Sequence, residues 1–173
     1  MNYSPNSCLM YVCLKNSSES LNCTLNHPYG NIEYMQPNII KKQIPSDRLK
    51  ELKAGVVYLF GSHAEGVAGP ASDIDLGIVF IDPAVIKKDT SEIYGKLYDL
   101  FSDIFDMSNF RNMDIVFLER AGLELRFDVI SHGTVLFEIS PEFRLNFEER
   151  TAALYRDFKP LLNLFNQAVL ERI

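Results

Sequence analysis

Two aspartates stand two residues apart in the segment Asp73-Ile74-Asp75-Leu76. In an extended strand, side chains two positions apart project from the same face, about 6.6 Å apart along the chain. Two carboxylates held this close repel each other and are costly to desolvate without a counterion. Mg²⁺ prefers oxygen ligands and is usually held by one or two carboxylates together with substrate phosphates. The pair is therefore a candidate metal site for a phosphate-bearing substrate, although solvated aspartates at a strand end share this spacing.

Two other features of the sequence fit a site for metal and phosphate. Asp114 lies near the start of a later predicted strand, so three carboxylates converge if that strand neighbours the first acidic one. Gly61 and Ser62 follow a continuous apolar run, Val56–Phe60, at a tight turn. Backbone N–H groups and a hydroxyl at such a turn can hold a phosphate.

The elements that must position these residues follow from hydrophobic periodicity and turn residues. Strands are predicted at residues 56–60, 74–81, 113–118 and 135–139. Helices are predicted at residues 47–53, from the Asp89/Glu92 capping box to Phe105, at 123–130, and from 141 onwards. The connection between the first two strands is too short for a crossover helix, so these strands are predicted to be antiparallel. The predicted fold class is α/β (α+β), a small mixed sheet flanked by helices.

Local residue choices predict where several helices begin and end. Ser46 is predicted to cap the first helix and Gly55 to stop it. Ser140 and Pro141 predict the start of the last helix. Pro160 is predicted to kink that helix or to split it.

Residues 1–36 differ in composition from the rest of the chain. They are rich in Asn and Ser and contain Cys8, Cys13 and Cys23, the three cysteines of the sequence. We predict an N-terminal extension of unknown role over residues 1–36 and one domain over residues 37–173. Because the cysteine count is odd and no CxxC pair exists, free thiols and a cytoplasmic location are expected.

The bulk charge and hydropathy exclude some classes of function. The formal net charge of the 173-residue chain is −6. An acidic surface repels the phosphate backbone, so direct nucleic-acid binding is not expected. No apolar run approaches the roughly 18 residues that a membrane span needs, so no membrane association is expected.

The order of the chemical residues resembles that of a known superfamily. Phe60-Gly61-Ser62, ten intervening residues, Asp73-Ile74-Asp75-Leu76 and a later Asp114 are similar to the nucleotidyltransferase superfamily that includes DNA polymerase β. Leu118-Glu119-Arg120-Ala121 and the segment 133–138 resemble its minimal members, the MntA-type antitoxins of HEPN/MNT toxin–antitoxin pairs. The resemblance covers about residues 45–160 and implies a polymerase β palm-like fold.

The resemblance also implies a mechanism and a partner. Asp73 and Asp75 are expected to bind two Mg²⁺ ions, and Gly61 and Ser62 to hold the β- and γ-phosphates of the substrate ATP. Asp114 is expected to ligate the second metal and to help deprotonate the incoming hydroxyl. In antitoxins of this kind the acceptor is a tyrosine of the partner HEPN toxin, an RNase that the attached AMP blocks.

The sequence departs from the family pattern directly after the Gly-Ser pair. The family usually shows a basic residue, then Ala, then Arg or Lys before Gly, whereas this chain has His63-Ala64-Glu65-Gly66. Less positive charge near the triphosphate is expected to weaken nucleotide binding, with His63 either contacting a phosphate or capping the turn. Two alternatives stay open: nucleotidyl transfer to a small, aminoglycoside-like alcohol, and a non-catalytic toxin-binding module with the same fold.

One further pair echoes a motif without being assigned to it. Arg126 and His132 are separated by five residues, which is similar to the Arg/His motif of HEPN RNases. Because the pair falls within the part that resembles the transferases, no RNase role is expected for it.

Overall fold

The structure is a computed structural model that describes residues 11–15, 21–27, 30–35, 39–88, 90–108 and 111–170. The chain divides into two units, Met1–Lys41 and Lys42–Ile173. This boundary lies a few residues beyond the predicted one between residues 36 and 37.

The N-terminal unit contains three strands: β1 (Tyr11–Lys15), β2 (Leu21–His27) and β3 (Gly30–Met35). They form an antiparallel sheet in the order β1-β2-β3. Cys13 and Cys23 occupy paired positions in the register of β1 and β2, whereas Cys8 lies outside the described residues. These strands are absent from the sequence-based prediction, although the segment Leu-Asn-Cys-Thr-Leu-Asn of β2 alternates apolar and polar residues with the period of a strand.

A four-stranded mixed sheet forms the centre of the second unit. Its strands are β4 (Ala54–Phe60), β5 (Ile74–Phe80), β6 (Met113–Phe117) and β7 (Thr134–Glu138). Their order across the sheet is β6-β5-β4-β7, with β4 antiparallel to β5 and β7, and β5 parallel to β6. The predicted mixed sheet and the predicted antiparallel pairing of its first two strands are confirmed.

The helices of the second unit, as far as the structure describes it, connect and cover these strands. They are α1 (Ser46–Glu51), α2 (Gly61–Ala64), α3 (Ala84–Lys88), α4 (Thr90–Ser102), α5 (Leu123–His132) and α6 (Pro141–Leu170). Asp89, the first residue of the predicted capping box at the start of α4, lies outside the described residues. The short α3 is not predicted from sequence, and it begins where Asp82 Oδ1 accepts a hydrogen bond of 2.9 Å from the Ala84 N–H.

The register sorts the strand residues onto two buried faces. On one face, Tyr94 of α4 packs against Phe117 of β6 with ring centroids 6.4 Å apart. On the other face, Val56, Tyr58 and Val79 form a cluster with Val129 of α5, and α6 packs against the same cluster. The central strands β4 and β5 are thus covered on both sides, which explains their nearly continuous apolar sequences.

Two predicted boundaries of α1 are wrong. Pro45 occupies the N-cap position instead of Ser46, and no side chain caps this helix. After the helix, Lys53 takes the left-handed conformation with φ of 61°, while Gly55 lies inside β4. Gly55 serves packing instead, because an added Cβ would lie 2.3 Å from Cε1 of Phe143 on α6.

The last helix begins as predicted but continues further than expected. The Phe143 N–H donates a hydrogen bond of 3.2 Å to Ser140 Oγ, which caps α6 ahead of Pro141. The helix runs through Pro160 without interruption, so the predicted split is wrong. Although α6 has 30 residues, neither it nor any other helix within the described ranges is long and apolar enough to cross a membrane.

Candidate functional site

The pairing of strands brings the predicted acidic residues to one end of the central sheet. Asp75 lies directly opposite Asp114 in the parallel register of β5 and β6. Opposed residues of neighbouring strands share a face, so both side chains lie on the face that α5 and α6 cover. Asp73 precedes β5, and its Oδ1 accepts a hydrogen bond of 3.2 Å from the Asn112 N–H just before β6. The sheet thus gathers an aspartate triad, Asp73, Asp75 and Asp114.

Asp75 is the electrostatically strained member of the aspartate triad. It is partly buried, whereas Asp73 and Asp114 are exposed. Burial raises the pKa of the Asp75 carboxyl, and the negative charges of Asp114 and Asp73 raise it further, while His63 lowers it. An ionised carboxylate with two like charges beside it favours a cation nearby.

The aspartate triad has the donor chemistry of a site for a hard divalent ion, but it does not form a complete cage. As the side chains stand, no three Asp, Glu, His or Cys residues of the described ranges are arranged to hold a metal ion by themselves. Mg²⁺ needs only one or two carboxylates when phosphate oxygens and waters supply its other ligands. The oxygen-only donor set therefore fits Mg²⁺ bound together with a phosphate-bearing substrate, and the predicted ligand roles stay predictions.

The turn after β4 places Gly61 directly against Asp75. Gly61 has φ of +64°, and an added Cβ would lie 2.5 Å from Asp75 Oδ2. Both the left-handed backbone and this close approach require glycine. Gly61 and Ser62 open the short α2, which no side chain caps, and the first N–H groups of a helix have no partner within it. Backbone donors and a hydroxyl thus lie beside the aspartate triad.

His63 links this turn to the segment that carries the first aspartate. Its Nε2 lies 3.2 Å from the backbone carbonyl oxygen of Ser72. Because a carbonyl oxygen only accepts, Nε2 is the donor in this hydrogen bond. Two roles are predicted for His63, contact with a phosphate or capping of the turn. This hydrogen bond fits the second role. Glu65 is exposed to solvent.

Arg111 and the backbone amide of Asn112 connect the segments that carry the site, and neither was assigned a role from the sequence. Arg111 Nε donates to the Pro70 carbonyl at 3.0 Å, and its Nη1 donates to the Asp106 carbonyl at 3.0 Å. These bonds fasten the loop before β5 to the segment before β6, as the Asn112 amide also does. Because Pro70 and Arg111 are 41 residues apart, no local sequence pattern predicts this hydrogen bond. The neighbouring Phe110 lies outside the described residues.

Arg126 and His132 point to different partners at opposite ends of α5. Arg126 Nε donates to the Ala121 carbonyl at 2.9 Å. His132 Nδ1 lies 3.0 Å from Asp128 Oδ1. Each of the two residues therefore has its own nearby partner, and these contacts do not bring Arg126 and His132 together in one site.

Comparison with known families identifies the chain. The family model described as polymerase beta, nucleotidyltransferase, matches residues 42–142. The chain belongs to this nucleotidyltransferase family. The matched segment contains the aspartate triad together with Gly61 and Ser62, so the predicted superfamily and its nucleotidyltransferase activity are confirmed. No curated protein matches the chain in sequence.

The fold is also similar to that of solved toxin–antitoxin structures. A toxin–antitoxin complex with AMP-PNP is 22% identical, has a TM-score of 0.51, and covers 72% of this chain and 98% of its own. An MntA-HpeT complex with a tyrosine-to-alanine substitution is 22% identical, has a TM-score of 0.54, and covers 74% and 99%. An MntA-HpeT complex with two aspartate-to-glutamate substitutions two positions apart is 20% identical, has a TM-score of 0.51, and covers 72% and 93%. These similarities confirm the predicted polymerase β-like fold.

Proposed function

We propose that this nucleotidyltransferase moves AMP from ATP to a tyrosine hydroxyl of a HEPN-type toxin and thereby acts as a protein adenylyltransferase antitoxin. The observation that carries the proposal is the position of Asp75, strained by Asp73 and Asp114 and in contact with the Gly61 turn. The similar solved chains come from toxin–antitoxin complexes, one of them with AMP-PNP, which supports the partner and the nucleotide.

The same residues account for binding of the metal and the nucleotide. Asp73, Asp75 and Asp114 would hold two Mg²⁺ ions, which stabilise the attacking and leaving oxygens of an in-line displacement. Gly61 and Ser62 would hold the β- and γ-phosphates through backbone N–H groups and the serine hydroxyl. The substituted aspartates of the MntA-HpeT variant have the same two-residue spacing as Asp73 and Asp75, which supports a role for this pair.

The reaction balances with these groups alone as acid, base and binding contacts. The tyrosine oxygen attacks the α-phosphorus, and its proton passes to the Asp114 carboxylate. The bond from the α-phosphorus to the bridging oxygen breaks, and pyrophosphate leaves. Gly61 and Ser62 keep the leaving phosphates in place while the bond breaks.

The charge of the turn between β4 and β5 affects how the triphosphate would be bound. Residues 61–73 contain no lysine or arginine, and His63 is engaged by Ser72. The turn's own residues supply no permanent positive charge, so divalent ions would supply the neutralisation of the triphosphate that these residues do not provide. We expect ATP binding to be nearly lost when the divalent ions are chelated.

The test is transfer of label from ATP to the protein encoded beside this chain's gene. Purified chain, that partner, α-labelled ATP and Mg²⁺ are incubated together, and the modified residue is located by mass spectrometry. We expect AMP on a tyrosine, and no label with chelator or with the double variant Asp73→Asn plus Asp75→Asn. Asp99→Asn, an exposed aspartate of α4, is the matched control and should label the partner normally.

Other outcomes of the same experiment select the alternatives. Label that survives the double variant would contradict the assigned roles. Label on a small alcohol such as an aminoglycoside, without any partner, would replace the acceptor. Neutralisation of the toxin that persists after all three aspartates become asparagine would identify a non-catalytic binding module.

A further inference from the structure

A second concave region lies at the opposite end of β5 from the aspartate triad. It is a groove of about 520 Å³ formed by the end of β5, the turn after β6, and the facing sides of α5 and α6. We call it the α5–α6 groove. A strand rises about 3.3 Å per residue, so Phe80 in this groove lies about 17 Å along β5 from Asp75. The groove and the aspartate triad are therefore separate places on one strand.

The floor of the α5–α6 groove is apolar. Val79, Phe143 and Phe147 line it, and Val79 is only 2% exposed. Two aliphatic side chains at the rim remain open to solvent, Ile81 at 40% and Leu154 at 46% exposure. A ligand with a flat apolar part would cover surface that the fold itself leaves in contact with water.

Two guanidinium groups line the same groove. Arg126 uses Nε for the Ala121 carbonyl, and its two terminal nitrogens make no hydrogen bond to any residue that the structure describes. Arg150 is exposed on α6, and it makes no hydrogen bond or ion pair within the part of the chain that the structure describes. Paired guanidinium groups bind carboxylates with geometric specificity.

Glu119 is the acidic residue that lines the groove. Its Oε1 accepts a hydrogen bond from the Phe80 N–H. Its Oε2 is buried without a hydrogen-bond partner among the described residues. Burial raises the pKa of this carboxyl, although the backbone amides and Arg126 lower it. With two arginines and one glutamate as its charged lining residues, the groove carries a net positive formal charge.

We propose that the α5–α6 groove binds a small amphipathic anion, with an apolar ring against Phe143 and Phe147 and a carboxylate held by Arg126 and Arg150. The groove has the volume of ordinary small-molecule sites, which are mostly apolar with a few convergent polar groups. The anion is argued from charge complementarity, and the ring from the aromatic floor. This site does not depend on the proposed transfer of AMP.

The test uses two ligands with the same phenyl ring and a four-carbon chain, one ending in a carboxylate and the other in an ammonium group. Phenylbutyrate and phenylbutylamine are titrated into the ¹⁵N-labelled full chain, and amide shifts are followed by NMR. Phenylbutyrate should give saturable shifts at Val79, Phe147 and Thr151 with a Kd on the order of 1 mM, as expected for a ligand of this size. Phenylbutylamine should bind at least roughly tenfold more weakly, because it meets two like charges.

Variants then assign the contacts. Arg150→Gln should weaken phenylbutyrate binding about tenfold, whereas Arg156→Gln, an exposed arginine of α6 outside the groove, should leave it unchanged. Arg126→Gln should act like Arg150→Gln, with circular dichroism to check the fold because Arg126 also binds Ala121. The double variant Asp73→Asn plus Asp75→Asn should bind phenylbutyrate normally.

Four results would overturn the proposal. These are equal affinity for the two ligands, unchanged affinity in Arg150→Gln, loss of binding in the double aspartate variant, and the absence of any saturable shift. Loss of binding in the aspartate variant would place the anion at the nucleotide site instead.

Discussion

A partly buried carboxyl group lies at each end of β5: Asp75 within the strand, and Glu119 in the turn after β6. The groups around these two carboxyls shift their pKa values in opposite directions. Burial raises the pKa of both Asp75 and Glu119. At Asp75, two further carboxylates raise it again. At Glu119, two backbone amides and Arg126 lower it. Burial is the shared cause, and the sign of the neighbouring charges is the difference.

This difference separates a carboxyl group with one oxygen in a backbone hydrogen bond from a carboxyl group beside two like charges. Glu119 has a structural task, since it accepts a hydrogen bond from the Phe80 N–H at the end of β5. No backbone amide among the described residues donates to the Asp75 carboxylate, which stands against Gly61 with two like charges nearby. A group held in this state costs stability, and perturbed groups of this kind concentrate at functional sites. The following variants would break or sharpen the contrast.

The largest expected effect is the loss of AMP transfer in Asp75→Asn. In the proposed role of Asp75 as a metal ligand, its removal costs several kcal/mol of transition-state stabilisation, so the rate should fall by about a thousandfold. Glu119→Gln, which keeps an acceptor for the Phe80 amide, should retain nearly full activity. Initial rates of labelling measure both. The contrast fails if Asp75→Asn keeps more than about a tenth of the activity, since about 1.4 kcal/mol would then be the whole effect.

Gly61→Ala should show the next largest effect. The new Cβ meets Asp75 Oδ2 at 2.5 Å, so the carboxylate must move and transfer should fall at least roughly tenfold, because displacement of a catalytic group by about 1 Å is costly. Gly66→Ala is a matched control, with φ of +73° and nothing within 4 Å of the added Cβ. It should lose only about 1 kcal/mol of stability through backbone strain. Equal activities of the two variants would show that the contact with Asp75 is unimportant.

Glu119→Ala should lower the free energy of unfolding by about 1–3 kcal/mol, because the Phe80 amide loses its acceptor in a buried place. Glu119→Gln should lose less, since the amide oxygen still accepts. Glu149→Ala, an exposed residue of α6, should change stability by no more than about 0.5 kcal/mol. Urea unfolding monitored by circular dichroism compares the three. A loss in Glu119→Gln as large as that in Glu119→Ala would argue against the hydrogen bond.

The smallest expected effect is a pH dependence of the free energy of unfolding that arises from Asp75. The pKa of Asp75 is raised above its ordinary value of 3.8, so the folded chain binds this proton more tightly than the unfolded chain does. Stability therefore falls as pH rises from 3.8 through the folded-state pKa, and the penalty is complete above it. Without divalent ions, Asp75→Asn should be more stable than the natural chain near neutral pH. The difference should shrink in acid and on addition of Mg²⁺, as followed by thermal unfolding.

Sequence patterns predict the sheet and the placement of its acidic residues because both depend on residue spacings of only a few positions along the chain. The spacing of Asp73 and Asp75, and an aspartate early in the neighbouring strand, suffice once β5 and β6 pair in register. The tight turn at Gly61 is predicted from the sequence, whereas its contact with Asp75 is not, because it depends on the pairing of β4 with β5.

The features that escape prediction depend on packing or on contacts between distant residues. The bond from Arg111 to Pro70 joins positions 41 residues apart, and the α5–α6 groove needs four separate elements in place. At Lys53 the chain leaves α1 with a left-handed residue, although the nearby glycine is the favoured choice for that conformation. Gly55 is required at its own position by Phe143.

Pro160 has a kinetic consequence for the end of α6. A proline has no N–H, so the carbonyl of Arg156 loses its helical partner there. Beyond this point Leu161, Leu164 and Phe165 are each about half exposed or more, so these three side chains pack only in part against the rest of the chain. Amide hydrogens after Pro160 should accordingly exchange with solvent sooner than those nearer Pro141, in a local opening that leaves the central sheet intact.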